Sequence, residues 1–468
     1  MCSRAVLASL TLLIGCGSVA APSGSGASGG SATNGGRAGV GGVHSAQSAG
    51  GPGVTAGGTA ASDGGAGGAS TTTQAGAPSN GGAPGSAGAA GHSGGSAGSP
   101  SGGSAGSGGA AGSGTLSLPA RASVIEVLRR ANTYFTAKWP NPGQAIDSSH
   151  TSHIWTRAVY YEGLMALYGV DPKPSDLSYA VDWAKSHNWG IVGGTSTRSA
   201  DNQCAGQTYL ALYELDPQPE RIADIKTDID MVVAGTVVND WTWIDAIQMA
   251  MPVFAKLGVI SGQAAYHAKM YAMYSSAKTS QGAAGFYSKS DHLWWRDANY
   301  DPPYMEPNGK NCYWSRGNGW VFAALTRVLD IIPESETHRS EYLADFSAMA
   351  EALLAVQRSD GFWNVSLQDP THFGGPELTG TSLFTYGMAW GVRKGILPAA
   401  KYGPAIQHAW TAMASAAHDD GFLGYVQGTG KEPADGQPVT FDKQPNFEDF
   451  GLGCFLLGGS EVARLASP

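Results

Sequence analysis

Charge and cysteine are both scarce in this sequence, and each scarcity excludes a class of protein. Only 14% of the 468 residues are charged, and 37 acidic residues outnumber 28 basic ones, which gives a formal net charge of -9. Nucleic-acid binding needs a basic patch or stripe, and no such cluster occurs. The cysteines after residue 115 are Cys204, Cys312 and Cys454, and this part of the sequence shows no Cys-x-x-Cys or His-x-x-x-His spacing. We therefore predict no metal site and no cofactor, and expect the three to be buried apolar residues with at most one disulfide.

Long apolar runs are also missing, and the one near the start is too short to cross a membrane. Residues 5–14 are apolar, about half of the roughly 20 residues that a membrane helix needs. The run fits a secretory signal. It leads into Leu13-Ile14-Gly15-Cys16, which resembles a bacterial lipobox, although an ordinary signal peptide with a chance cysteine is the alternative. We expect residues 1–16 to be a lipoprotein-type signal peptide, with lipidated Cys16 anchoring a secreted protein to the outer membrane or cell surface.

Aromatic residues are absent from residues 17–115, which consist mainly of Gly, Ser, Ala and Thr. Such a segment buries too little apolar surface to offset the entropy of ordering it, and it lacks the Gly-X-Y period of collagen. We expect a flexible linker with an end-to-end distance of about 55 Å. Residues 116–468 are then the catalytic domain, which we expect to be monomeric and to contact the membrane only through the lipid anchor.

Apolar periodicity in residues 116–468 predicts about twelve helices that alternate in character. Odd-numbered helices are amphipathic, whereas even-numbered helices are apolar nearly all round, as buried helices are. The alternation predicts an all-α fold of two concentric rings, an (α/α)6 six-hairpin barrel, with small β-hairpins inserted at 285–295 and 421–427. The predicted helices lie near residues 120–138, 153–168, 175–188, 200–215, 218–234, 243–257, 261–279, 317–332, 338–357, 378–394, 399–416 and 447–464.

Polar and aromatic residues cluster where the even-numbered helices begin. If all even-numbered helices are inner, they run parallel and their N-termini share one mouth of the barrel. Core packing does not require six such clusters at one end, whereas a binding site does, and helix N-termini favour an anionic ligand. The clusters lie at residues 153–155, 201–203, 243–245, 316–320, 377–381 and 446–448.

One carboxyl group is predicted to begin a buried helix. Asp245 lies among apolar residues in Trp243-Ile-Asp245-Ala-Ile-Gln-Met249. Burial favours a neutral carboxyl group, and a neutral acid at neutral pH can serve as a general acid. A helix cap or a salt-bridged core aspartate explains this segment equally well. Trp243 and Met249 suit a sugar platform, although an aromatic residue on a buried helix more often belongs to the core.

An arginine in a glycine-rich and aromatic setting is the second candidate. Arg316 lies in Trp314-Ser-Arg316-Gly-Asn-Gly-Trp320 and has no obvious structural partner in the sequence. Arginine binds carboxylates with two parallel hydrogen bonds, and glycines allow a ligand to approach closely. We therefore favour substrate binding over a structural role for Arg316.

Other polar residues at the mouth have simpler explanations. Asp201 by itself could be a helix N-cap. Residues 377–381 are expected to begin a helix and support the site. For His153, His372 and Glu448 the simpler interpretation is structural, although His153 is kept as a candidate substrate contact.

Four ordered motifs make these residues similar to a known family. They resemble family 105 of the glycoside hydrolases, the unsaturated rhamnogalacturonyl hydrolases, and the related family 88 of unsaturated glucuronyl hydrolases. The family fold is a six-hairpin α/α barrel, in agreement with the periodicity. The motifs are Asp201…Gly206-Gln207-Thr208-Tyr209, Trp243-x-Asp245-Ala246…Met249…Pro252, Trp314-x-Arg316-Gly-Asn-Gly-Trp320 and Glu377-x-Thr379-Gly380-Thr381.

The resemblance implies hydrolysis of oligosaccharides that end in a 4,5-unsaturated uronic acid of galacturonyl type, as lyases leave from pectin and rhamnogalacturonan. An acid protonates C4, water adds at C5, and the product rearranges to release the next sugar. By motif position Asp245 is that acid and Asp201 is the second catalytic carboxylate. Trp243, Met249, Trp314, Arg316 and Trp320 match substrate-contacting positions.

The resemblance has departures and alternatives. Family members commonly carry an aromatic-His element where this chain has Leu293-Trp-Trp-Arg-Asp297, which leaves the sugar after the uronate open. One alternative is an inverting glycosidase acting on a saturated sugar, with Asp201 and Asp245 about 6.5–9.5 Å apart. Another is a lipid-tethered glycan-binding protein without turnover, against which the Asp and Arg at the mouth argue.

Overall fold

The computed structural model describes residues 117–467, which contain thirteen α-helices and one short 3₁₀ helix, Pro219–Arg221. The signal peptide, Cys16 and the linker at 17–115 lie outside the described residues. The helices are α1 Arg121–Lys138, α2 Trp155–Tyr168, α3 Pro174–Ser186, α4 Ala200–Gln203, α5 Ala205–Leu215, α6 Ala223–Ala234, α7 Asp245–Ser261, α8 Ala264–Thr279, α9 Ser315–Ile331, α10 Arg339–Leu354, α11 Leu378–Arg393, α12 Ala399–Ala416 and α13 Asp449–Leu465.

Six inner helical segments form a closed ring. Helices α2, α5, α7, α9, α11 and α13 each pack against the next, and α13 packs against α2. Helices α1, α3, α6, α8, α10 and α12 alternate with them along the chain. The predicted (α/α)6 barrel is confirmed, with helix bounds shifted by a few residues and the segment 200–215 divided at Cys204.

The two kinds of helix differ because one buries a stripe and the other buries its whole surface. In α1 the buried residues Val124, Leu128, Ala131 and Phe135 follow helical spacing and leave the other face to solvent. In α9 nearly every residue from Ser315 to Leu329 is buried. An inner helix therefore requires apolar or small residues on all sides.

Glycine allows the inner helices to approach closely. A Cβ atom at Gly453 of α13 would lie 2.2 Å from the carbonyl oxygen of Val159 in α2, and one at Gly163 would lie 2.5 Å from that of Gly453. Neither space admits a side chain. The glycines of Phe450-Gly-Leu-Gly453 thus set the spacing of the two helices that close the ring.

The predicted β-hairpins are smaller than a ladder of strands. Residues 285–295 form a single antiparallel bridge between Tyr287 and Trp294, and the segment near 421–427 forms one between Ala417 and Leu423. Residues 117–467 contain no longer strand. No helix in this range has the length and hydropathy of a membrane span.

Candidate active site

The starts of the inner helices meet at one end of the barrel. The Thr156 hydroxyl at the start of α2 donates to Asp449 at the start of α13 over 3.3 Å. The guanidinium carbon of Arg316, in the first turn of α9, lies 5.0 Å from the ring centre of Phe450. Parallel inner helices with a shared mouth are therefore observed.

Asp245 is the first residue of α7 and pairs with an arginine from the inserted hairpin. Arg296 Nε donates to Asp245 Oδ2 over 3.1 Å, and Arg296 Nη1 donates to Asp297 Oδ2 over 2.6 Å. The side chains of Arg296 and Asp245 remain 20% and 12% exposed, so both can be reached from the mouth. The sequence predicted a buried acid among apolar residues, whereas the structure gives Asp245 a cationic partner.

Asp201, in α4, is a carboxyl group at the mouth whose surroundings raise its pKa. Its burial, together with the negative charge of Asp245, raises its pKa to about 7, while Arg296 acts in the opposite direction. The carboxyl groups of Asp201 and Asp245 therefore share the mouth with the Arg296 cation. Such a pair can supply a proton from one member and accept one at the other.

Arg316 has structural partners, and the expectation that it has none is wrong. Its Nη1 donates to the carbonyl oxygen of Gln427 over 3.0 Å and its Nη2 to that of Gly428 over 2.8 Å. The guanidinium also stacks over the Trp314 ring, 4.4 Å from its centre. Arg316 is 1% exposed and fastens the segment that contains the second hairpin to the start of α9.

The other predicted substrate contacts divide into reachable and buried residues. Trp243 is partly exposed beside Asp245. Met249, Trp314 and Trp320 are at most 1% exposed and lie within or behind the wall of the mouth. In this conformation they offer no surface to a ligand, so their direct contact with substrate stays a prediction.

His153, just before the start of α2, lies beside a second histidine, His187. Its ring stacks on His187 with centres 4.1 Å apart, and His187 Nε2 lies 2.7 Å from Ser152 Oγ. Burial lowers the pKa of His153. Burial and the neighbouring His153 together lower the pKa of His187 to about 4. Both rings are therefore neutral near pH 7, and a substrate contact by His153 also stays a prediction.

Glu377 caps α11 with its side-chain oxygens. It accepts hydrogen bonds from the backbone N–H groups of Thr379 and Gly380 over 2.9 and 2.7 Å, and it is fully buried. Its oxygens are thus committed to the helix start. Residues 377–381 support the site structurally, as expected.

Sequence reasoning missed two charged residues. Arg296 had appeared only as a departure from the family pattern. Glu162 lies below the mouth in α2, where Gln248 Nε2 and Cys204 Sγ donate to it over 2.9 and 3.3 Å. Burial raises its pKa to about 7, opposed by Arg327. The available signal was a lone acidic residue in the otherwise weakly polar run Trp155–Tyr168.

Two further structural findings concern cysteines and metals. Cys204, Cys312 and Cys454 are buried free thiols, so none of the three forms the disulfide that their sequence left open. Within residues 117–467 no group of three or more His, Cys, Asp or Glu side chains is arranged to hold a metal ion.

Comparison with known proteins gives one family and several related structures. Residues 127–466 match the model of Glycosyl Hydrolase Family 88. An "Unsaturated 3S-rhamnoglycuronyl hydrolase" of Formosa agariphila is 30% identical over 332 residues, which cover 66% of this chain and 84% of the relative. A solved structure of a family 88 glycosyl hydrolase from Bacteroides vulgatus is 31% identical with a TM-score of 0.67, and the match covers 74% of this chain and all of that one. A possible family 105 member from Salmonella enterica shares the fold, with 19% identity, a TM-score of 0.60 and coverage of 74% and 95%.

Proposed function

The chain belongs to glycosyl hydrolase family 88, and from that membership we infer that it removes a terminal unsaturated uronic acid from oligosaccharides released by polysaccharide lyases. The protein is a glycoside hydrolase. The observation that carries this function beyond family membership is the mouth itself, where the carboxyl groups of Asp245 and Asp201 meet the Arg296 cation and burial raises the pKa of Asp201 to about 7. The resemblance of the sequence motifs to families 105 and 88 is confirmed.

We propose that the sugar after the uronate is rhamnose. The support is the name of the relative from Formosa agariphila, an unsaturated 3S-rhamnoglycuronyl hydrolase. The sequence motifs implied a galacturonyl unit, but lyase elimination makes C4 and C5 planar. Galacturonate and glucuronate then give the same unsaturated ring. Specificity therefore depends on the anomeric linkage and on the next sugar, and pectin-type rhamnogalacturonan fragments are one source of such a substrate.

We further propose that the reaction is hydration of the C4=C5 bond. That bond is an enol ether, because C5 also carries the ring oxygen. Protonation of C4 by Asp245 leaves a cation at C5 that the ring oxygen stabilises, and water then adds at C5. The hemiketal opens and rearranges to release the next sugar, with no attack at C1. Asp201 and Asp245 together supply the proton and recover it from the water.

Turnover of a lyase-generated unsaturated uronyl–rhamnose disaccharide tests both proposals. The ultraviolet absorbance of the conjugated double bond should disappear, and in heavy water deuterium should appear at C4 of the released deoxy-keto uronate, after correction for spontaneous exchange. The saturated disaccharide is the control and should not be cleaved. Release of sugar without deuterium at C4 would reject hydration. Cleavage of the saturated disaccharide would favour the inverting glycosidase, and binding without turnover would favour the glycan-binding protein.

We also propose that Cys16 carries a lipid that anchors the enzyme to a membrane. The support is Leu13-Ile14-Gly15-Cys16 after a short apolar run, with Gly17 rather than the aspartate associated with inner-membrane retention. The protein with Cys16 should then partition into detergent. Cys16→Ser should remain in the aqueous phase, with the same turnover of a soluble disaccharide. Equal partitioning of the two proteins would reject the anchor.

A further inference from the structure

Arg296 is held over Asp245 by the backbone of the inserted hairpin. The backbone N–H of Ile244 donates to the carbonyl oxygen of Arg296 over 3.0 Å, and Trp243 and Asp297 form an antiparallel bridge. Asn318 of α9 fixes the same hairpin, since it accepts from the N–H of Trp294 over 2.8 Å. The position of Arg296 is therefore built by two inner helices and does not depend on its side-chain contacts alone.

The guanidinium of Arg296 has one donor group to spare. Nε and Nη1 donate to Asp245 and Asp297, whereas no residue within 117–467 accepts from Nη2. Asp297 is itself fixed, because its Oδ1 accepts from the backbone and side chain of Asn299, each over 2.8 Å. Asp297 is thus a fixed anchor for Nη1. The bond to Asp245, a single contact of 3.1 Å, is the one that another carboxylate can replace.

Charged groups from three parts of the fold face this pair. Asp201 of α4 lies close enough to Asp245 for the two charges to interact, and Arg296 stabilises the ionised form of Asp201 as well. Asp297 belongs to the hairpin, and Arg316 of α9 feels the charge of Asp245 but is already bound to two carbonyl groups. Arg296 is therefore the cation at the mouth with a free donor and a replaceable partner.

Resting on the proposed function, we propose that Arg296 changes partner during the reaction: it pairs with Asp245 in the free enzyme and binds the uronate carboxylate in the complex. The carboxylate is attached to C5, next to the carbon that Asp245 protonates. A substrate placed with C4 at Asp245 therefore brings its carboxylate to the guanidinium that Asp245 occupies. Arginine is suited to this exchange because its fork can hold Asp297 and a second carboxylate together.

The exchange also places the proton where the chemistry needs it. Burial raises the pKa of Asp201 to about 7, so in the free enzyme the pair of carboxyl groups, Asp201 and Asp245, can hold the proton of the reaction on Asp201. When the substrate carboxylate takes Arg296, the proton passes to Asp245. It then forms the new C4–H bond with the electron pair of the double bond. Water adds to C5 and returns one proton to the pair, so each turnover consumes only water.

Steady-state kinetics on the unsaturated uronyl–rhamnose disaccharide tests this role. Arg296→Gln should raise KM by about 10- to 100-fold, as for a lost charge-assisted hydrogen bond. Because the cation holds the pKa of Asp201 down, its removal should also move the alkaline limb of kcat/KM, expected near pH 7, to higher pH. Arg296→Lys keeps the charge without the fork, so the limb should stay near that of the unmodified enzyme while KM rises less.

Two controls separate this role from a general effect of mutation. Arg339→Gln removes an arginine that pairs with the exposed Glu334 between α9 and α10, outside the site, and should leave KM and the pH profile unchanged. The methyl ester of the substrate needs no variant: it should show a raised KM with the unmodified enzyme and no further rise with Arg296→Gln.

Three results would overturn the inference. They are a KM of Arg296→Gln that matches Arg339→Gln, an alkaline limb that does not move, and equal KM values for ester and acid with the unmodified enzyme. Absence of turnover by the unmodified enzyme would reject the proposed function as well. Turnover with any of the three results would reject only the exchange by Arg296.

Discussion

Two carboxyl groups in this barrel have raised pKa values but different surroundings. Burial raises the pKa of Asp201 at the mouth and of Glu162 below it to about 7. Asp201 is partly exposed and faces the charges of Asp245 and Arg296, whereas the Glu162 side chain is inaccessible and hydrogen-bonded by Gln248 and Cys204. A raised pKa therefore does not identify a catalytic residue. Access to a ligand and a neighbouring charge that a ligand can displace distinguish the mouth from the interior.

Among these variants, Asp245→Asn should reduce turnover most severely. Asparagine has nearly the same shape but supplies no proton, so kcat should fall by about two to four orders of magnitude while substrate binding persists. Turnover and the melting temperature check this. Asp240→Asn is the matched control, because Asp240 lies close to Asp245 in sequence but pairs with Arg198. Full activity of Asp245→Asn would remove it as the acid.

Asp201→Asn should have a smaller effect, roughly tenfold to a hundredfold on kcat/KM, because Asp245 remains available to acquire a proton from solvent. The alkaline limb near pH 7 should disappear, since the group that loses its proton there is gone. The pH dependence of kcat/KM checks this. A limb unchanged in Asp201→Asn would assign it to another group.

Arg316→Lys tests whether Arg316 acts mainly in the wall behind the mouth or in substrate binding. Lysine cannot reach the carbonyl oxygens of both Gln427 and Gly428, so the free energy of unfolding should fall by roughly 1.5–3 kcal/mol. Denaturant unfolding measures the loss. If Arg316 also contacts substrate, as the motif implies, KM should rise at temperatures where the variant is fully folded. A stable variant with a raised KM would make substrate binding its main role.

Glu162→Gln should have the smallest effect on turnover, within about twofold, because glutamine can still bind Gln248. Its effect should appear in stability. The pKa of Glu162 is raised from 4.5 to about 7 on folding, so the folded protein holds a proton that the unfolded chain has lost between those pH values. Stability should therefore fall as pH rises from about 4.5 to about 7 and then level off.

The glutamine variant should lose less stability over the same pH range, by a few kcal/mol at most, at about 1.4 kcal/mol per unit of pKa shift. Glu334→Gln, at an exposed position, should follow the unmodified protein. A pH dependence of unfolding that is identical in Glu162→Gln would show that the buried group is not the source. A large loss of turnover in Glu162→Gln would contradict the proposed difference in role between the buried Glu162 and Asp201 at the mouth.

Much of the fold was predictable because helical periodicity is local. The amphipathic run of α1 and the apolar run of α9 each contain their own burial pattern, and their alternation implies two rings. Bounds near Cys204 and the short bridges of the hairpins were less predictable, because they depend on how neighbouring segments pack. The family motifs also contained Asp201 and Asp245, which the fold places at one mouth.

The partners of the charged groups could not be predicted in the same way. Arg296 reaches Asp245 across 51 residues of sequence, and Arg316 reaches Gln427 across 111. The sequence by itself determined the barrel, the shared mouth and the two carboxyl groups. Only the tertiary structure decided that the pKa of Asp201 is raised, which arginine is occupied and which has a free donor. The reason is physical: helix formation and burial follow from residues a few positions apart, whereas ion pairing and desolvation depend on which distant loops meet.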